Sequence, residues 1–492
     1  MLSGLFTKKP IDVLLAQASE QGDTTLRRGL GPYSLMLLGI GGVIGAGIFV
    51  LTGQQAAINA GPAIVLSFIL AGVVCAFTAM CYAELASMIP VSGSAYTYTY
   101  ATLGEFIAWL IAWDLILEYG LASATVSAGW SGHFRDMIEG FGMTLPHAWS
   151  TAPWTFDGSH LVSTGSILNL PAMAIVCLMG GLLITGITES ALVNNIIVSL
   201  KILTVVTVIV VGFAHVHPDY WHPLIPPRVE PTASDPMGHF GLPGVLAAAG
   251  VIFFAYIGFE AVSTAAQEAR NPQRDMPIGI LASLGICTVL YILMSLVITG
   301  MAHYSDLNND APVARALGAV PGLGWLRQIV NVAVAIGLGS TILSLLYGQS
   351  RIFYAMSRDG LLPAAFGKVN PKTRTPIWGT VVTSLFAGLV GGLFPISVLG
   401  ELVSMGTLLA FALICGGVMY LRVSQPDLPR TFKTPFVWVT APVGMLGCAF
   451  LISGLPVPTW IRLVVWMAIG LVVYFGYAYR HSRYHAQAVA AE

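Results

Sequence analysis

Apolar stretches of bilayer-crossing length, about 20 residues each, recur twelve times along the chain. They begin near Tyr33, Pro62, Phe106, Leu168, Ala191, Pro243, Pro277, Ile329, Pro376, Val398, Phe436 and Trp460. The longest hydrophilic connections, His133 to Ile167 and His215 to Leu242, are too short to hold an independent domain. The pattern predicts an all-α integral membrane protein, with twelve transmembrane helices in one domain over residues 31–480. Short segments, 1–30 and 481–492, flank it. The third, eighth and tenth runs are long enough for their helices to continue beyond the membrane.

Two runs are interrupted. "LGIGGVIGAGIFV" packs Gly39, Gly41, Gly42, Gly45 and Gly47 into an uncharged apolar stretch, and each interior glycine costs a helix about 1 kcal/mol against alanine. Close glycines permit tight helix packing. They also permit a break, which membrane depth tolerates only where the freed backbone faces protein, water or a ligand. Gly45, Ala46 and Gly47 leave consecutive amides unshielded by side chains. An unwound segment there offers N–H groups to an anion and C=O groups to a cation, and a zwitterion uses both. On this reading Gly45→Val or Gly47→Val abolishes binding, while Gly39→Ala, in continuous helix, is tolerated. The sixth run, "GVIFFAYIGFEAVSTAAQEARNP", repeats the theme five helices later, with Gly250 and Gly258 around Glu260. Runs one to five and six to ten therefore read as two repeats, with two helices appended.

Composition supports the membrane reading: 56% of residues are hydrophobic and 9% charged, where soluble domains carry roughly a quarter charged. A net charge of −1 points to no nucleic-acid partner. The six cysteines all fall in apolar runs without metal-ligand spacing, as small buried hydrophobes would. No metal or organic cofactor is expected. The first thirty residues carry several charges and no apolar core of signal-peptide length. With the N-terminus inside, sixteen Lys and Arg fall on the cytoplasmic side and five (Arg135, Arg228, Arg315, Arg327 and Arg462) on the other. The bias predicts both termini in the cytoplasm. Lys201 is left over, inside the fifth run.

"GIGGVIGAGIFVLTG", "PVSGSAYTYTYATLGE", "FFAYIGFEAVSTAAQEARNPQRDMPIGI" and "YGQSRIFYAMSRDGLLP" together resemble the amino acid–polyamine–organocation superfamily. The resemblance is greatest to bacterial members of its cationic amino acid transporter family, and it runs from about Arg28 to Arg480. It implies an inverted five-plus-five (LeuT-like) fold with discontinuous first and sixth helices, transporting amino acids by alternating access. Carried over by position, it assigns the substrate carboxylate to the amides of Ala46 and Gly47, with Gly45 shaping the break. The carbonyls of Val43, Phe254, Ala255 and Ile257 take the ammonium. Phe254 serves as a gate or as a packing aromatic, and Leu345 closes the side-chain end of the pocket. A leucine there leaves room for a small side chain and no partner for a guanidinium, favouring alanine-like substrates over arginine.

Ionisable groups at membrane depth cost at least about 2.5 kcal/mol each on insertion scales. The resemblance places Lys201 where sodium-driven relatives hold a cation between helices one and eight, as a proton-coupling group or a charged strut. Glu118 follows Asp114 by one turn on the same helix face and matches a carboxylate of close relatives on the proton route; Asp114 could cap or pair locally. Glu260, just past the second break, braces the half-helices or carries the proton. Glu84 and Glu401, near run ends, read as structural. All ten histidines are expected in loops or the tail, and no HExxH, paired-aspartate or serine–histidine pattern suggests an intramembrane enzyme. A sensor would need a signalling domain that these short ends do not provide. The expectation is a proton-coupled symporter of a bacterial inner membrane, monomeric, with small L-amino acids and lipids as partners and H+ as coupling ion. The alternatives are a cationic or broad-range amino acid exchanger or facilitator, sodium coupling and, behind these, a membrane amino acid sensor.

Overall fold

The computed structural model describes residues 3–10, 13–14, 30–91, 94–156, 161–186, 191–231, 238–370, 373 and 375–484. Most of the segment 1–30, with Arg27 and Arg28, lies outside the described residues, as do Lys372, Arg374 and residues 485–492 of the tail. Twelve apolar helices stand in the positions of the twelve runs. They are α1 (Pro32–Val43), α2 (Ile64–Met88), α3 (Glu105–Gly140), α4 (Leu170–Ile184), α5 (Ala191–Phe213) and α6 (Gly241–Ile252). Then come α7 (Pro272–Met301), α8 (Gly324–Arg358), α9 (Ile377–Leu393), α10 (Ile396–Ser424), α11 (Val437–Ser453) and α12 (Val457–Val473). Among the described residues, eight helices qualify by length and composition as membrane-crossing, while α1, α4, α9 and α11 are shorter apolar helices.

The helices sort by contact into two groups. α7 packs along α1 and α2, and α6 lies against α2; α3 packs along α8 and α10, with α4 and α9 behind. α5 touches α1, α7 and α8, joining the groups. The outward surface is aliphatic, as at Val464 and Val472 on α12, whereas carboxylates and hydroxyls are drawn inside. That is the inversion a lipid solvent requires.

Several expectations change. The chain is not wholly α, because Trp154–Phe156 and Leu161–Ser163 pair as a small antiparallel hairpin. α3 runs 36 residues to Gly140, so His133 is a helical residue, fully buried, and not a loop one. The charged residues just after it, Arg135 and Asp136, give the segment the look of a hydrophilic connection. Cys177 is exposed on the outer face of α4, while the other five cysteines are buried; all six are free. α8 and α10, at 35 and 29 residues, exceed a bilayer crossing, as their run lengths suggest.

One face of the bundle is closed by both chain ends. The Glu105 amide donates to the Thr7 carbonyl (3.0 Å), and Lys9 pairs with Asp359 at the end of α8 (2.9 Å). Asp359 also accepts from the Tyr96 hydroxyl (2.6 Å). The Glu105 carboxylate collects hydroxyls from Tyr100 (2.7 Å), Tyr474 (3.2 Å) and Ser482. Segments distant in sequence are thus tied together at the ends of the central helices.

Glu84 is a second such tie, and a structural one. Its carboxylate accepts a two-pronged contact from Arg422 (3.0 and 2.7 Å) and the amide of Thr434 (2.7 Å), and it pairs with Arg430 (3.2 Å). Removing one member of a buried charge cluster leaves the others uncompensated, at about 3–5 kcal/mol. Glu84→Gln should therefore lower the thermal unfolding midpoint of the detergent-solubilised protein clearly, while substrate affinity of the folded fraction stays unchanged. A midpoint equal to that of the wild type would show that the cluster contributes nothing.

Candidate functional site

α1 ends at Val43. Ile44 is extended (φ −72°, ψ 94°) and its amide still reaches back to the Ile40 carbonyl at 2.8 Å. Ala46 returns to helical angles, and Gly47–Leu51 forms a wide π-helical turn. The helix beginning there leaves its first amides, at Ala46 and Gly47, without partners from a preceding turn. The rest of the first run, to residue 60, alternates α and π turns, an irregularity frequent at functional sites.

The sixth run breaks at the matching depth. α6 tightens into a 3-10 turn at Phe253–Tyr256, Ile257 is extended (φ −62°, ψ 134°), and Gly258 adopts φ +124°. A second 3-10 segment, Glu260–Glu268, follows. The two breaks touch. A Cβ on Gly258 would lie 2.4 Å from the Gly42 carbonyl carbon, and one on Gly47 would lie 2.4 Å from the Ala255 Cα. Backbone meets backbone, and only glycine permits that approach.

Side chains of other helices satisfy what the breaks release. The Lys201 ammonium on α5 donates to the Gly41 carbonyl and to the Thr341 hydroxyl on α8, both at 2.8 Å. The Tyr291 hydroxyl on α7 donates to the Val43 carbonyl at 2.6 Å, so that carbonyl has one lone pair left for a ligand. In the sixth run the Gly258 amide donates to the Glu260 carboxylate (2.8 Å), which bridges the break. The Phe254 amide donates to Ser404 (2.9 Å), whose hydroxyl donates to the Val251 carbonyl (2.8 Å).

The sequence-predicted residues fall in three places. Val43, Gly45, Ala46, Gly47, Phe254, Ala255 and Ile257 gather at the two breaks, all buried. Leu345 follows Thr341 by one turn of α8, on the face turned to α1, and is partly buried. Glu118 lies deeper in α3, close enough to Glu260 for their charges to interact. Asp114 makes no cap and no local pair: neither its carboxyl oxygens nor those of Glu118 have a hydrogen-bond partner among the described residues. Glu401 accepts from Thr459 at 2.8 Å.

Thr341, Tyr291 and Ser404 were not singled out from the sequence. Thr341 was within reach, since it precedes Leu345 by four positions and shares its helix face; a lone Tyr or Ser in an apolar run carries no such signal. Gly39 reverses an expectation. A methyl group there would lie 2.5 Å from the Ser283 hydroxyl and 2.9 Å from Val262, so Gly39 seats α7 and is not a free helical position.

The chain belongs to the amino acid permease family, whose sequence model matches residues 30–478. That family is part of the amino acid–polyamine–organocation superfamily. The protein is a multi-pass membrane transporter, and its family and relatives are permeases and transporters, not enzymes. Over its near-whole length it is similar to two proteins of Bacillus subtilis (strain 168). One, a methylthioribose transporter, is 44% identical over 481 residues, 98% of this chain and 99% of the relative. The other, the branched-chain amino acid permease BcaP, is 46% identical over 484 residues, again 98% and 99%. A vacuolar cationic amino acid transporter of Arabidopsis thaliana is 36% identical over 429 residues, 87% of this chain and 68% of the relative.

The glycines separate by what each one meets. Gly258→Ala combines backbone overlap with a left-handed φ, and Gly47→Ala overlaps Ala255; each should cost about 1–3 kcal/mol. A Cβ on Gly45 would sit 3.6 Å from the Thr341 methyl, an ordinary contact. Gly45→Ala should leave stability within about 0.5 kcal/mol. Thermal unfolding of the three purified variants tests the ranking, and a Gly258→Ala protein as stable as wild type would mean that the breaks do not touch.

Proposed function

We propose that this protein is a proton-coupled symporter of small neutral L-amino acids such as alanine, working by alternating access. Twelve crossings, the inverted five-plus-five arrangement and cytoplasmic termini in a bacterial inner membrane complete the reading. It needs one copy of the chain, lipid around it and H+ as coupling ion, with no metal or organic cofactor.

The single observation that carries it is the Lys201 bridge beside the break in α1. A protonated lysine stands where a bound cation could tie α1 to α8, and its donors are matched to a carbonyl and a hydroxyl. Loss of the proton weakens the tie, so proton occupancy and the position of α1 become linked. Glu118 and Glu260, the buried carboxyls nearest that link, serve the proton route. One charge moved through 100 mV yields about 2.3 kcal/mol, enough for roughly fiftyfold accumulation of a zwitterion.

For the substrate, the amides of Ala46 and Gly47 take the carboxylate, where a half-helix N-terminus favours an anion. The carbonyls of Phe254, Ala255 and Ile257, with the remaining lone pair of Val43, take the ammonium. Gly45 leaves room beside the break, Phe254 covers the ligand and Leu345 limits its side chain. The similarity to a permease named for branched-chain amino acids supports a neutral substrate.

Uptake into proteoliposomes, with a pH gradient, a sodium gradient or internal amino acid imposed in turn, separates the coupling modes. Lys201→Met should abolish pH-gradient-driven accumulation while exchange persists. Accumulation by that variant at the wild-type level would overturn the coupling role. Leu345→Ser should weaken alanine and valine binding and admit longer side chains, with the backbone grip intact; removing leucine's contacts is worth a few kcal/mol, about 2 or more. Competition by alanine, valine, leucine, arginine and methylthioribose reads this out, and an unchanged ranking would remove Leu345 from the pocket.

A further inference from the structure

Two cavities, of about 400 and 230 Å³, open at the end of the bundle where α3 finishes and α8 begins. Arg135, Asn308, Asn309 and Asp310 line both, so the ion pair between Arg135 and Asp310 (3.1 Å) stands as the partition. The larger cavity is otherwise walled by charge, as at Asp306 and Arg315. The smaller one reaches toward the first break. Its wall includes Ile396, at the start of α10. A Cβ on Gly129 of α3 would lie 3.4 Å from the Ile396 Cδ1 and 3.3 Å from the Ala46 Cβ. Ile396 and the turn that presents the Ala46 amide therefore meet on one face of α3.

The two members of the pair are held unequally. Arg135 is fixed without its carboxylate, because Nη1 donates to the Ser150 carbonyl (3.2 Å) and to the Thr151 hydroxyl (2.9 Å). The Asp310 side chain is the more exposed of the two, 39% against 26%, and among the described residues its carboxylate is hydrogen-bonded to Arg135 alone. Its loop, residues 302–311, rests on α3 at Gly132, where a Cβ would lie 2.4 Å from the Asp310 Cβ. The loop also meets the first run, through the Gln54 amide that donates to the Asn309 carbonyl (3.2 Å). The neighbouring pair differs. Asp136 accepts from two nitrogens of Arg327 and from Asn331, which locks it in place.

We propose that Arg135 and Asp310 form an entrance station for an amino acid zwitterion. The ligand's carboxylate takes the place of Asp310 on Arg135, and its ammonium takes the place of Arg135 on Asp310. An anion alone would bring a second negative charge to Asp310, and a cation alone would strand Arg135. A zwitterion leaves both satisfied. A partly exposed ion pair contributes little to stability, so the exchange is close to neutral. It parts the Asp310 loop from α3, joins the two cavities and brings the ligand past Ile396 to the amides of Ala46 and Gly47. The inference rests on a zwitterionic substrate and on the assignment of those amides to it, and it is independent of Lys201.

Association and dissociation rates of alanine, measured by stopped flow on the purified, full-length protein, are the test. Asp310→Asn removes the partner of the ammonium and should slow both rates by about tenfold, the lower end of what a charged entrance gives an on-rate. Equilibrium affinity should stay unchanged, because the final site is untouched. A mere latch gives the opposite sign, since breaking it would speed both rates. Asp310→Glu, which keeps the charge, should restore wild-type rates, and Arg135→Gln should slow them as Asp310→Asn does. A wild type that binds no amino acid at all fails the transport reading and this inference with it. A wild type that binds alanine while Asp310→Asn keeps or raises both rates overturns this inference alone.

Discussion

The structure depends on one constraint: two helices stop in the middle of an apolar bundle, and every backbone group they release must find a partner inside protein. Lipid offers none, and an unmade buried hydrogen bond costs about 1–3 kcal/mol. The carbonyls at the α1 end of the first break are met by Lys201 and Tyr291, from helices far away in sequence. The second break is bridged by its own Glu260 and steadied by Ser404. Packing of α5, α7, α8 and α10 around these segments follows from where their polar side chains must deliver a hydrogen bond.

Glycine makes the arrangement possible in a second way. Gly42 and Gly258 bring two backbones into contact, and Gly39, Gly41 and Gly47 seat α7, α5 and the sixth run against the first. Packing and unwinding, posed as rival readings of one glycine-rich stretch, occupy different glycines of it. Those that pack hold the broken helix in register, while Gly45 alone borders the break with space beside it.

This division explains what was legible in the sequence. Run lengths gave the helices, and clustered glycines placed the first break within two residues of Ile44, because apolar length and helix penalty are local properties. The buried lysine was legible too, since an ammonium at that depth has no explanation in the neighbouring sequence. Thr341, Tyr291 and Ser404 act across helix contacts, where an isolated hydroxyl looks the same whether it bonds its own helix or a neighbour's broken end. His133 was misread because charged neighbours such as Arg135 and Asp136 suggested a loop, although they are the paired charges that let α3 continue to Gly140.

The two sides of the first break are held by different kinds of contact. On the α1 side of the break, α1 is tied through hydrogen bonds from Lys201 and Tyr291, and Lys9, Tyr96 and Asp359 tie segments near the chain ends to α8. These are directional and charge-dependent contacts that a change of protonation or hydration can undo. On the other side, the turn after the break is seated by glycine contact, with Gly47 on Ala255 and Gly129 on Ala46 and Val50, and only farther along do Gln54 and Asn59 bond to Asn309 and Phe240. Close packing does not respond to a proton. A change of charge at the first break therefore acts most directly on α1, through Lys201 and Tyr291, while the turn that carries the Ala46 and Gly47 amides is backed by close backbone packing.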